Sequence, residues 1–132
     1  MRCNRDESYH GTIMKIEIRE KPGFFILSLA GILDAQWALS VADRVSFALQ
    51  EHAAGDTLDV DLLVDLGGVN YISSGGLRVL LALDKKMRAG GKRMAVCAPT
   101  REVSEILTTA GLYGYFWIVP SLAAAEQAFS SR

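Results

Sequence analysis

The hydrophobic pattern becomes periodic at Ile13, where Ile16 and Ile18 alternate with Glu17 and Arg19 as a half-buried strand requires. Lys21-Pro22-Gly23 is a turn. Phe24-Phe25-Ile26-Leu27-Ser28-Leu29 is short and rich in aromatic and branched residues, and so predicts a more deeply buried strand that pairs back as a hairpin and ends at Gly31. Asp34 then stands at an N-cap position. Behind it Ala38, Val41, Ala42, Val45 and Leu49 recur at helical spacing and define one amphipathic helix.

From His52 to Asp61 a glycine and three aspartates read as a surface loop, followed by the continuous apolar run Leu62-Leu63-Val64-Asp65-Leu66 of a central strand. Gly67-Gly68 should close that strand. After Val69-Asn70-Tyr71-Ile72-Ser73-Ser74-Gly75-Gly76, the spacing of Leu77, Leu80, Leu81, Leu83 and Met87 predicts a second helix, largely covered and stopped by Gly90-Gly91. Met94-Ala95-Val96-Cys97 is another strand. Thr100 can cap a third helix carrying Val103, Ile106, Leu107 and Ala110, which Gly111 ends. Phe116-Trp117-Ile118-Val119 is the last strand, and Ser121 caps a short helix with Leu122, Ala125 and Phe129 on one face. Strands alternating with helices imply parallel neighbours joined by right-handed crossovers, hence a small α/β sandwich.

Composition narrows the function more than the fold. At 132 residues, half of them hydrophobic, the chain has room for a single core. Fourteen Lys and Arg against fifteen Asp and Glu leave a net charge of -1, which gives nucleic acid no attractive field. Cys3 and Cys97 lie far apart without a CxxC, a reading that favours reduced thiols and a cytoplasmic chain. The longest mostly apolar stretch, Phe24 to Leu33, falls well short of the roughly 20 residues a membrane-spanning helix needs. Residues 1–12 are polar and mixed in charge, and read as a mobile leader before a single domain over residues 13–132.

The usual chemistry has little to work with. GxxxxGK[ST], GxGxxG and GxSxG are all missing, and the two histidines, His10 and His52, fall in the leader and a loop. Asp59 and Asp61 read as solvated charge. No catalytic residue, metal set or cofactor site is expected. Lys85, Lys86, Arg88, Lys92 and Arg93 gather at the end of the second helix, where cations complement the helix dipole. Tyr71 and Trp117 are expected in the core; Trp37, off the main stripe of its helix, is the aromatic with an interface prospect.

One junction asks for more. Ser73-Ser74-Gly75-Gly76 opens the second helix, where backbone N–H groups lack intrahelical partners and negative charge is favoured. Either serine can serve as the cap, and two glycines can permit a tight turn. Yet each glycine in a helical turn costs about 1 kcal/mol against alanine, so the site wants bare backbone.

Val64-Asp65-Leu66, then Val69, Ile72, Ser73-Ser74-Gly75-Gly76-Leu77 and Leu80-Leu81, resemble the signature of the STAS domain of bacterial anti-sigma factor antagonists. The resemblance runs from about Met14 to Phe129 and takes in Gly31-Ile32-Leu33-Asp34-Ala35 and Ala110-Gly111-Leu112. It implies a STAS-type sandwich with a mixed central sheet of about five strands, about four helices and an N-terminal hairpin. The family pattern at the helix start is an aspartate, two hydroxyl residues, glycine and leucine. Anchored on Gly76-Leu77, it puts Ser73 at the aspartate, Ser74 at the first hydroxyl and Gly75 at the second. Ser74 is then the leading phosphoacceptor and Ser73 the second choice.

What the resemblance further implies is a partner switch without catalysis. The unmodified domain binds an anti-sigma factor of the serine-kinase type, phosphorylation ends that complex, and a PP2C-type phosphatase resets it. Asp34, Gln36, Asn70, Ser73, Ser74, Gly75, Gly76 and Arg78 would form the docking surface of a monomer. The alternative is a STAS-type accessory or scaffold subunit of a transport or sensory complex, in which the hydroxyl missing at Gly75 marks a domain that is not phosphorylated.

Overall fold

The computed structural model describes residues 14–130; the leader expected over residues 1–12, with Cys3 and His10, lies outside the described residues. The chain begins with the antiparallel pair β1 (Lys15–Lys21) and β2 (Phe24–Leu33), turned at Gly23 with φ +89°. Helix α1 (Ala35–Leu49) follows, then a small hairpin of β3 (Ala53–Ala54) and β4 (Thr57–Leu58). Next come β5 (Asp61–Ile72), α2 (Ser74–Ala89), β6 (Met94–Cys97), α3 (Arg101–Thr109), β7 (Trp117–Val119) and α4 (Leu122–Ser130). One mixed five-stranded sheet in the order β1-β2-β5-β6-β7 results, parallel from β2 to β7, with four helices.

Side-chain alternation along the strands sorts the core into two layers. Phe25, Leu27, Leu29, Leu62, Val64, Leu66, Met94 and Val96 point to the face covered by α1, α2 and α3, where Val41, Val45, Leu49, Leu80, Leu83, Met87, Val103 and Leu107 complete the larger core. The opposite residues, Phe24, Ile26, Leu63, Ala95 and Cys97, meet Ala125 and Phe129 of α4. Both central strands are buried on both faces, as their continuous apolar runs require.

The structure corrects three expectations. Neither Gly31 nor Gly67-Gly68 ends a strand. β5 carries two bulges against β2: Ser28 pairs with Asp65 but Ala30 with Gly68, and Gly31 pairs with Val69 but Ile32 with Tyr71, so β5 gains one residue at each step. Glycine marks both places for steric reasons. Gly31 has φ +111°, and a Cβ on Gly68 would lie 2.8 Å from the Ala30 Cβ. The Asp65 Oδ1 accepts the Gly67 N–H at 2.9 Å beside the first bulge.

His52 to Asp61 is also more than a loop. It holds the β3–β4 hairpin and ends on Asp61, which is 1% exposed rather than solvated. Asp61 accepts the backbone N–H of Arg93 at 2.9 Å and the Arg93 guanidinium at 3.4 Å, with Lys92 Nζ at 4.0 Å. Arg93 in turn stacks over Trp117 and Phe129, fastening α4 to the sheet. Finally, the aromatic expectations reverse in part: Tyr71 and Trp117 are exposed, whereas Trp37 packs half-buried against the larger core.

Candidate functional site

The β2–α1 and β5–α2 junctions lie side by side because β2 and β5 are parallel neighbours that end together, with Leu33 paired to Ile72. The Ser73 N–H donates to the Leu33 carbonyl at 2.9 Å and ties the junctions to each other. Each helix then starts on a side-chain cap. Asp34 Oδ1 accepts the Trp37 N–H at 3.3 Å, and Ser73 Oγ accepts the Gly76 N–H at 3.2 Å. The two serines are thereby separated in role: Ser73 is half-buried and spent as the cap, while Ser74, the first residue of α2, is exposed.

The two glycines have a packing explanation. A Cβ on Gly75 would lie 2.8 Å from the Cβ and 2.9 Å from the Cα of Ala35, at the start of α1. At Gly76 it would collide with the Leu33 carbonyl oxygen and approach Ile72 Cγ2 and Leu33 Cγ at 2.9 Å. Bare backbone is therefore required by the close approach of α1 and β2, not by a bound anion. Gly76 is buried and shapes the junction from beneath; Gly75 is half-buried.

Around Ser74 the remaining expected positions fall on one end of the molecule. Gln36 is exposed in the first turn of α1, Asn70 is exposed at the second bulge of β5, Asp34 is half-buried as a cap, and Arg78 is exposed one turn after Ser74 on α2. Reading the sequence element by element missed the contribution of α3. An open groove of about 570 Å³ runs from Ser74 between α2 and α3, with Ile72, Leu77, Ile106 and Ala110 in it and Tyr71, Glu102, Glu105 and Thr109 along it. The Thr100 hydroxyl sets this relation by donating to the Val69 carbonyl at 3.1 Å while accepting the Val103 N–H at 3.2 Å. A threonine that caps its own helix gives no signal in sequence that it also reaches another strand.

Acid–base chemistry finds no support at this junction. The buried thiol of Cys97 is pushed up to about 12, first by burial and then by the charges of Asp65 and Glu126, but it sits under α4 on the other face of the sheet. No group of His, Cys, Asp and Glu among the described residues is arranged to hold a metal ion. What the junction offers is an exposed hydroxyl beside a shallow apolar groove, the equipment of a docking surface.

Residues 15–125 match the model of the STAS domain. The chain belongs to the STAS domain family. Among its relatives is a protein of Bordetella bronchiseptica named "Putative anti-sigma factor antagonist BtrV", 28% identical over 118 residues that cover 89% of this chain and 97% of the relative. As a STAS fold the chain also matches the anti-sigma factor antagonist SpoIIAA in its unphosphorylated form, with a TM-score of 0.73 and 14% identity over 89% of this chain and 98% of that one. A third match is to part of the murine anion transporter Slc26a9, with a TM-score of 0.70 and 16% identity over 86% of this chain and 19% of the transporter. No helix among the described residues of this STAS domain is long and apolar enough to cross a membrane.

Proposed function

We propose that this STAS domain is an anti-sigma factor antagonist that acts by partner switching, a regulatory binding module and not a catalyst. Unmodified, it binds an anti-sigma serine kinase through the end of the molecule that carries Asp34, Gln36, Asn70, Ser73, Ser74, Gly75, Gly76 and Arg78; phosphorylation of Ser74 ends the complex, and a PP2C-type phosphatase restores it. The observation that carries this reading is the division of labour at the helix start, with Ser73 occupied as the cap and the Ser74 hydroxyl exposed beside it.

The physics of the switch follows from that position. A phosphoserine adds about -1.5 to -2 charges, and at the first residue of α2 it meets N–H groups that have no intrahelical partner. The helix tolerates the group, so the fold survives while the surface seen by the partner gains negative charge. Family membership and the relation to BtrV support the same reading. Incubation of the chain with candidate anti-sigma kinases of its own organism and ATP should add one phosphoryl group, located on Ser74 by mass spectrometry. Ser74→Ala should abolish it and Ser74→Asp should weaken the complex; equal phosphorylation of Ser74→Ala refutes the assignment.

A second reading, an accessory or scaffold subunit of a transport or sensory complex, draws on Gly75, where packing against Ala35 leaves no room for the second hydroxyl of the family pattern. Partner binding that ignores Ser74→Asp would favour it.

A further inference from the structure

Helix α2 is the most positively charged element among the described residues. It has four cations, Arg78, Lys85, Lys86 and Arg88, against one carboxylate, Asp84. That carboxylate is 3% exposed and is taken by Arg88 at 2.9 Å, an ion pair one turn long. Lys92 and Arg93, which follow the helix, are held by Asp61. Arg78, Lys85 and Lys86 have no carboxylate partner among the described residues, and all three are exposed. By contrast α3, where Arg101 pairs with Glu105 and Glu102 is left over, and α4, with Glu126, are net negative, and the whole chain sits at a net charge of -1. The dipole accounts for Lys86 and Arg88 in the last turn of α2, but not for Arg78 in its second turn, where a cation lies toward the positive end.

These side chains share one shallow trough. Leu81, Ala82 and Ala89 form its floor, and Arg78, Lys85 and Lys86 stand around it. Small residues at 82 and 89 leave room for a partner's larger side chains, and the cations are placed to meet carboxylates beside them. Ser74 lies one turn before Arg78 on the same helix, so the trough and the candidate switch share α2. We propose that the outward face of α2 is the docking surface for an acidic amphipathic helix of the partner protein, its apolar side chains over Ala82 and Ala89 and its carboxylates paired with Arg78, Lys85 and Lys86. The inference rests on the partner-switch reading for the identity of that partner, but the surface itself does not depend on modification of Ser74.

The test uses the full chain, labelled with 15N, and a helical peptide of about 20 residues whose Leu and Ala stripe is flanked by glutamates. Amide shifts are expected at Arg78, Ala82, Lys85 and Ala89 and not along Glu102 to Ile106. The variant Arg78→Glu/Lys85→Glu/Lys86→Glu, checked as folded by its dispersed amide spectrum and allowed the small loss of melting temperature that a carboxylate at position 86 brings against the helix dipole, should lose affinity by about tenfold or more, and the same peptide with lysines for glutamates should not bind. Shifts centred on Leu39 and Phe47 of α1, or unchanged affinity in the triple variant, overturn the proposal. A chain that binds the acidic peptide on α2 yet is never phosphorylated at Ser74 keeps this inference and loses the switch, so the two can fail separately.

Discussion

At the scale of single residues, neighbouring serines and a buried thiol show how little separates a structural role from a functional one. Ser73 and Ser74 are chemically identical, yet the extended backbone of Ser73, with ψ 174°, aims its oxygen back at the Gly76 N–H, whereas Ser74 is already helical and points away from that duty. Cys97 is the opposite case, a reactive group made inert by burial between β6 and α4. Its thiol is raised from the ordinary 9.0 to about 12. A folded-state pKa above the unfolded one contributes stability that is complete below pH 9 and is lost as pH rises toward 12. Urea denaturation from pH 8 to pH 11 on a Cys3→Ser background should therefore show a steeper loss of stability than the same chain carrying Cys97→Ala. Coincident curves would contradict the shift.

At the scale of elements, the close approach of α1 and α2 decides what the candidate site can contain. Two helices that each begin directly after adjacent parallel strands are brought together at their first turns, and Gly75 is bare because a Cβ there would meet Ala35. Gly75→Ser, which would restore the family's second hydroxyl, forces the new Cβ against Ala35 and should cost about 1–3 kcal/mol, as overpacking typically does. Ala35→Gly in the same chain removes the obstructing methyl. The double variant should recover part of the loss, and a double-mutant cycle by urea denaturation measures the coupling; simple additivity would show that the two residues do not share that space.

At the scale of the whole molecule, one buried carboxylate joins parts that are remote in sequence. Asp61 opens β5, receives the backbone N–H that leads into β6, and holds the guanidinium that lies over Trp117 and Phe129. Asp61→Ala leaves that N–H without its acceptor and frees Arg93 from the staple beneath α4. Because both cations still reach water, the cost should stay near that of hydrogen bonds to a charged group, about 2–3 kcal/mol, rather than that of a stranded buried charge. Asp61→Asn, which keeps an acceptor for the Arg93 N–H, should cost less. The comparison by thermal and urea unfolding checks the assignment, and equal losses for the two variants would place the whole effect on the ion pair.

The periodicity of the chain was sufficient for every α-helix, for the strands of the main sheet and for the Asp34 cap, because amphipathic spacing and capping are local properties. It left the cap of α2 open between Ser73 and Ser74. The same local reading stopped strands at glycines that the sheet runs through. A glycine that ends a strand and one that relieves a bulge look alike until the neighbouring strand is present to show which is needed. Burial of Asp61, the trough along α2 and the reach of Thr100 to β5 were likewise set by partners more than 30 residues away or by which face of a helix finds none. For the junction itself, residue order supplied the hydroxyls and the bare backbone, while only the packing of Leu33 and Ala35 against the first turn of α2 decided that the glycines are there to let the chain pass and that Ser74 is the hydroxyl left facing outward.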